Sequence, residues 1–272
     1  MDQARSNSVA PAPALDLAKF FVDLGGAVQR LLLLDYDGTL APFHVQPERA
    51  LPYEGVRERL DAIMRDPASY VVMVTGRPAR ELGNLLRLQR MPSVWGSHGW
   101  EYLNADGEYR LGPLDPRPLR RILRDRAFEQ RVRELGGRIE QKPSALAIHW
   151  RGAAPAQVAE LRDAVRSHWL AHDLGATLSW LEFDGGIELR LPGRDKGSVV
   201  ETLLAAYPRA VAAYLGDDLT DEDAFRAIRD RGAGILVRPE YRPTFARAWL
   251  RPPEQLLDFL DRWIAVARGG RL

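Results

Sequence analysis

The chain has 272 residues, a formal net charge of +1 with 28% charged residues, no cysteine and five histidines. The near-neutral balance, with no basic block, argues against a nucleic-acid protein, and the missing cysteines exclude disulfides and thiolate metal sites. The length suits one α/β domain with a smaller insert; the Ala- and Pro-bearing first fourteen residues read as a frayed start, and no apolar run approaches the about 18–20 residues of a membrane span, so the expectation is a soluble cytoplasmic protein.

Residues 15–28 carry an amphipathic helical pattern that leads into a strand at 30–35, where the apolar run Leu31–Leu34 gives way to Asp35, Tyr36, Asp37, Gly38 and Thr39. Side chains two apart on an extended segment share a side, so Asp35 and Asp37 project together just past a strand end, and Gly38 turns the chain away. Two carboxylates this close ask for a cation or a shared proton. Helices at 54–66 and 78–88 flank a β-branched strand at 71–74 that ends in Thr75, Gly76, Arg77 and Pro78. A strand near 93–95 precedes Gly96, and Trp100–Arg110 reads as a hairpin leaving the main domain through a turn at Asn104–Gly107.

The alternation of strand and helix stops there and resumes near Lys196. Between lie a helix at 116–134, strands at 137–142 and 145–151, a helix at 155–171, and strands at 176–182 and 186–191, an antiparallel sheet backed by two helices. Gly112-Pro113 and Pro192-Gly193 read as hinges. Alternation with period two puts Leu146, Ile148, Trp150, Ile187, Leu189 and Leu191 on one face, and His149, Arg151, Glu188 and Arg190 on the other, with Glu140 and Lys142 sharing a side. A helix over Gly197–Tyr207 then feeds a strand at Val211–Leu215 that ends in Gly216, Asp217 and Asp218. Thr220 is the expected N-cap of a helix with Asp221, Glu222 and Asp223 in its first turn. Gly234–Val237 is the expected last core strand and Pro253–Arg268 the last helix.

Three strand ends therefore carry carboxylates, a threonine and glycine turns, the groups that phosphate and Mg²⁺ require. The histidines at 44, 98, 149, 168 and 172 are scattered, so any metal would be held by oxygen. Of the 38 basic residues only Lys19, Lys142 and Lys196 are lysines. In so Arg-rich a chain a retained lysine marks a place for a compact ammonium, and Lys196 opens a helix, a poor place for a cation without an anionic partner. Lys19 lies on an amphipathic stretch where a surface role suffices.

The motifs Asp35-Tyr-Asp-Gly-Thr-Leu, Thr75-Gly-Arg, Lys196 and Gly216-Asp-Asp-Leu-Thr-Asp-Glu-Asp resemble, in order and spacing, those of the haloacid dehalogenase (HAD) superfamily of phosphohydrolases. Within it the chain resembles the trehalose-6-phosphate phosphatases over about residues 30–265, through Gly216–Phe225, through Gly96-Ser-His-Gly with Trp100-Glu101, and through Glu140–Arg151. It departs from the common family pattern at Ser97, often Asn, and at Trp150, often Tyr.

The resemblance implies an α/β, HAD-like Rossmannoid core, a parallel sheet with helices on both faces, at residues 1–107 and 192–272, with an inserted α+β cap domain of C2 type at 108–191. It also implies a Mg²⁺-dependent phosphatase that works through an aspartyl-phosphate. Asp35 would be the nucleophile and Asp37 the acid and base, while Thr75 and Lys196 would hold the phosphoryl oxygens. Asp35, the Asp37 carbonyl and Asp217 would hold Mg²⁺, supported by Asp218 and Asp221. Arg77, His98, Glu140, Lys142, His149, Arg151, Glu188 and Arg190 would contact trehalose 6-phosphate, and the enzyme would be functionally coupled to a trehalose-6-phosphate synthase. Three other readings share parts of the pattern. A phosphatase for sucrose phosphate or a glycosyl-phosphoglycerate would differ in the cap and in Gly216–Phe225. A phospho-receiver module would need neither Asp37 nor the insert, and a non-catalytic sugar-phosphate binder would not need every catalytic position filled.

Overall fold

The computed structural model describes residues 15–171, 178–183 and 185–269. The expected frayed start, His172 and the beginning of the strand expected at 176 lie outside the described residues.

The first helix among the described residues is α1 (Leu17–Gly25), capped by the Asp16 side chain, which accepts from the Lys19 backbone N–H at 3.0 Å. It continues through β1 (Gln29–Leu34), α2 (Val56–Ile63), β2 (Ser69–Val74), α3 (Leu82–Leu86) and β3 (Ser93–Gly96) to a hairpin, β4 (Glu101–Leu103) and β5 (Tyr109–Leu111). After the insert come α7 (Lys196–Ala206), β10 (Ala210–Gly216), α8 (Glu222–Ile228), β11 (Gly232–Val237), β12 (Ala248–Leu250) and α9 (Glu254–Ala267). One eight-stranded sheet results, in the order β12-β11-β10-β1-β2-β3-β4-β5, parallel from β12 to β3 and antiparallel beyond.

β1 is buried on both faces, which is why it reads as an unbroken leucine run rather than an alternating one. Leu32 and Leu34 face a cluster built with α1, α2, α3 and α9, including Phe21, Leu60, Phe259 and Trp263. Leu31 and Leu33 face Val199, Val200, Leu203, Phe225 and Ile228 of α7 and α8. β1 pairs with β2 on one side and β10 on the other, so the chain reverses its direction of travel across the sheet beside β1, the point at which α/β sheets open a crevice at their carboxyl ends.

The insert runs α4 (Arg117–Ile122), α5 (Arg126–Glu134), β6 (Arg138–Gln141), β7 (Ala145–His149), α6 (Pro155–Ala171), β8 (Ser179–Phe183) and β9 (Gly186–Arg190). Its antiparallel sheet has the order β6-β7-β9-β8. The face carrying Leu146, Ile148, Trp150, Ile187, Leu189 and Leu191 packs on Phe128, Val132, Leu161 and Val165 of the helices, as the alternation requires.

Four expectations are corrected. The hairpin does not leave the main domain: β4 pairs with β3 and β5 with β4, so a boundary at 108 would cut the sheet's last hairpin. The helix expected at 116–134 is two, because Asp125 leaves helical geometry and caps α5, accepting from Ala127 and Phe128 N–H. Thr220 is not an N-cap, since Asp218 caps the short 3₁₀ turn Leu219–Asp221 that precedes α8. The last core strand is β12, three residues long and too short to announce itself by periodicity.

Candidate active site

The three central strand ends meet at one place. Asp35 follows β1, Thr75 follows β2 and Asp217 follows β10, and all three line one cavity of about 640 Å³, roughly the size of a small-molecule site. Tyr36 points the other way and is buried, donating to the Ala50 carbonyl at 2.6 Å, so Asp35 and Asp37 share the cavity side. Gly38 sits at φ +77°, and a Cβ there would lie 2.1 Å from Asp217 Oδ2. Only glycine lets the turn after β1 approach that carboxylate.

Carboxylate oxygens of Asp35, Asp217 and Asp221 lie within 4.8 Å of one another, all three buried. Lys196, brought in by the first turn of α7, bonds Asp221 Oδ1 at 2.7 Å and Asp35 Oδ1 at 2.9 Å. The remaining capacity of Asp221 is used by the Tyr214 hydroxyl at 2.5 Å and by the backbone N–H groups of Asp217 and Asp218 at 3.0 and 2.9 Å. Asp221 therefore fixes Lys196 and the acidic turn from beneath. Gly216 must be small for this, since a Cβ would fall 2.4 Å from Asp221 Cγ.

Asp217 is different: both of its oxygens are buried without a hydrogen-bond partner. Burial, and then the charges of Asp35 and Asp221, push its carboxyl well above the usual range. Burial likewise pushes Asp35 up to about 7, with Lys196 opposing and Asp221 adding to the rise. A divalent cation bound by oxygens would relieve both, and a carboxylate with two unengaged oxygens beside a second buried carboxylate fits such an ion.

Arg77 lines the cavity and clamps Asp37, with Nε and Nη2 each 2.6 Å from a carboxylate oxygen, while Nη2 also donates to the Pro47 carbonyl at 3.0 Å. Thr75 Oγ1 accepts from the Arg77 backbone N–H at 3.2 Å. Asp218 lines the cavity rim and caps the turn through Leu219 N–H at 2.7 Å.

The polar face of the cap roofs the same cavity with Glu140, Lys142, His149, Arg151 and Glu188. These residues are paired. Glu188 takes Lys142 Nζ at 2.8 Å and His98 Nε2, from the core, at 3.0 Å. Glu140 lies 2.6 Å from His149 Nε2. Burial works against both charges, yet Lys142 and His98 hold the Glu188 carboxyl well below its usual range, and His149 and Lys142 hold Glu140 at about 2. Burial pushes His98 down to about 4, so it is neutral and bonds Glu188 as a neutral donor. Arg151 lies over the Phe43 ring at 4.0 Å, joining cap to core at the mouth. Arg190 does not line the cavity; it stands behind Glu188, 3.9 Å from Oε2.

The trehalose-phosphatase family profile matches residues 33–244. The chain belongs to the trehalose-phosphatase family. It is 32% identical over 252 residues to the trehalose-phosphate phosphatase of Mycobacterium tuberculosis, covering 87% of this chain and 61% of that one. It is 34% identical over 242 residues to the bifunctional trehalose-6-phosphate synthase/phosphatase of Thermoproteus tenax, covering 86% of this chain and 32% of that one. The chain thus spans less than two thirds of either relative. The C-terminal domain of C. albicans trehalose-6-phosphate phosphatase superposes with a TM-score of 0.79 at 23% identity over 97% of this chain and all of that one, and HAD-like hydrolases share the fold.

Family membership leaves several residues around the site that motif spacing did not reveal. Phe43, Glu81, Asn84, Arg87 and Arg138 line the cavity, and Tyr214 and Arg242 act from behind it. Tyr214 could have been found, because a tyrosine inside an Ala-rich buried strand needs a polar partner. Arg242 is one of 35 arginines and carried no signal.

Proposed function

We propose that the chain is a cytoplasmic, Mg²⁺-dependent phosphatase that hydrolyses trehalose 6-phosphate to trehalose and phosphate, working alongside a trehalose-6-phosphate synthase. One observation carries the reading: a cavity whose floor is a cluster of buried carboxylates with a lysine, and whose roof is a separate set of paired polar side chains. The floor suits a phosphoryl group and a cation, and the roof suits sugar hydroxyls. The bifunctional T. tenax relative supports the link to a synthase.

Asp35 attacks phosphorus and the bond from phosphorus to the sugar oxygen breaks, the leaving oxygen taking a proton from Asp37. Asp37 then takes a proton from water as that water attacks the aspartyl-phosphate, returning Asp35 and releasing phosphate. Each oxygen of Asp37 accepts one bond from Arg77, which leaves a second lone pair on each for the proton it gives and takes. Lys196 holds the nucleophile and lies beside the phosphoryl oxygens, with Thr75 at the next strand end. Mg²⁺ held by Asp35, Asp217 and the Asp37 carbonyl would offset the charge of nucleophile and phosphate. Lys142, Glu140 and Glu188 orient the sugar, and the cap excludes bulk water.

Phosphate release measured across trehalose 6-phosphate, glucose 6-phosphate and sucrose 6-phosphate, with Mg²⁺ and with excess chelator, tests the reading. Trehalose 6-phosphate should give the highest kcat/KM, and chelator should abolish turnover. Equal kcat/KM for all three, or full activity in chelator, contradicts it.

A further inference from the structure

Asp217 lies just past the end of β10, buried, and both of its carboxylate oxygens are without a hydrogen-bond partner. The peptide that carries it is held from the side away from the cavity by the strap 238–245. Arg242 is the main contact. Its Nε and Nη2 each lie 3.3 Å from the Asp217 carbonyl oxygen, and Nη2 also donates to the Asp218 carbonyl at 2.7 Å. Nη1 pairs with Glu222 and donates to the Pro243 carbonyl at 3.0 Å, and Arg238 reaches the Asp217 carbonyl at 3.5 Å. Glu222, in the first turn of α8, also accepts from Thr244 Oγ1 at 2.8 Å and from the Phe245 N–H at 2.7 Å, so it fixes guanidinium and strap together.

The division of labour between cations is what matters. Lys196 takes up oxygens of Asp35 and Asp221. Arg242 puts its charge against the backbone of the acidic turn and leaves both Asp217 carboxylate oxygens unengaged. Only a planar fork with several donors can span two successive carbonyls and a carboxylate at once.

We propose that Arg242, seated by Glu222, is a positioning residue for the cation site: it locks the Asp217 and Asp218 carbonyls so that the Asp217 carboxylate stays presented to the ion. The inference rests on the reading of Asp217 as a Mg²⁺ ligand. Arg242 is not among the residues that line the cavity, and its bonds run to the backbone of the acidic turn, to Glu222 and to the Pro243 carbonyl.

Calorimetric titration of MgCl₂ into the full chain tests this for the wild type, Arg242→Gln, Arg242→Lys and Thr244→Val. Arg242→Gln should weaken Mg²⁺ binding about 10- to 100-fold, the usual effect of removing a partner that orients a ligand, and Arg242→Lys should fall between it and wild type. Thr244→Val removes two strap bonds, one to Glu222 Oε1 and one from the Ala246 N–H, but none that Arg242 itself makes, and should bind close to wild type. In steady state the Mg²⁺ requirement of Arg242→Gln should rise while the sugar-phosphate KM at saturating Mg²⁺ stays unchanged. Should Arg242→Gln fail to fold, the Arg242→Lys titration decides. Wild-type affinity in the Arg242 variants overturns the inference alone, as does a Thr244→Val loss equal to that of Arg242→Gln, which would assign the effect to strap packing. If the wild type binds no Mg²⁺, the cation reading falls and takes this inference with it.

Discussion

The floor and the roof of the cavity treat their acidic residues in opposite ways. On the floor, Asp35, Asp217 and Asp221 share one lysine, and the carboxyls of Asp35 and Asp217 are driven up. On the roof, Glu188 is matched by Lys142 and His98, Glu140 by His149 and Lys142, and both carboxyls are driven down. The floor has one lysine for three buried carboxylates, a deficit that the proposed cation would offset, whereas the roof carboxylates are hydrogen-bonded to side-chain partners and would offer hydrogen bonds to the neutral sugar of the proposed substrate. On the proposed function, the contrast would separate the part that does the chemistry from the part that reads the sugar.

The sharpest break concerns the nucleophile. Asp35→Asn should remove turnover by on the order of 10⁴-fold or more while keeping the fold, as judged by circular dichroism and phosphate release. Retained activity above a trace would move the nucleophile elsewhere.

The contrast also predicts stability changes of opposite sign in metal-free protein. Glu188→Gln takes from buried Lys142 its one hydrogen-bonded carboxylate, leaving only the more distant Glu140, and should cost about 3 kcal/mol in urea unfolding. Asp217→Asn removes a buried, unpaired, repelled carboxylate and should be neutral or stabilising by about 1 kcal/mol. If Asp217→Asn destabilises as much as Glu188→Gln, the floor is not short of positive charge.

The smallest effect concerns acid. The folded Glu140 carboxyl titrates near 2, below its ordinary value of 4.5, so the stability it contributes is fully present above about pH 4.5 and is lost as pH falls toward 2. The difference in unfolding free energy between wild type and Glu140→Gln should therefore shrink as pH falls from about 4.5 toward 2. A difference that grows on acidification would contradict the pairing with His149 and Lys142.

The sequence announced the floor better than its surroundings. Strand ends reveal themselves because β1, β2 and β10 are apolar runs that stop at Asp35, Thr75 and Asp217, and Lys196 stood out because lysine is scarce. The two faces of the cap sheet were legible from period-two alternation. Pairing across the cavity was not, since nothing local says that His98 meets Glu188 or that Arg77 takes both oxygens of Asp37. The hairpin β4–β5 was misassigned because pairing with β3 is a long-range choice that a turn signal cannot encode, and the break at Asp125 was missed because apolar spacing continues through it.

The division between floor and roof is tested most directly by measuring kcat/KM for trehalose 6-phosphate and for a small aryl phosphate side by side, in wild type and in Glu188→Ala. A site built to hydrogen-bond hydroxyls loses heavily when one partner goes, so trehalose 6-phosphate should fall by roughly 10²-fold or more, while the aryl phosphate, which needs only the floor, changes little. Equal losses on the two substrates would mean that the roof is a lid without specificity, and would contradict the account.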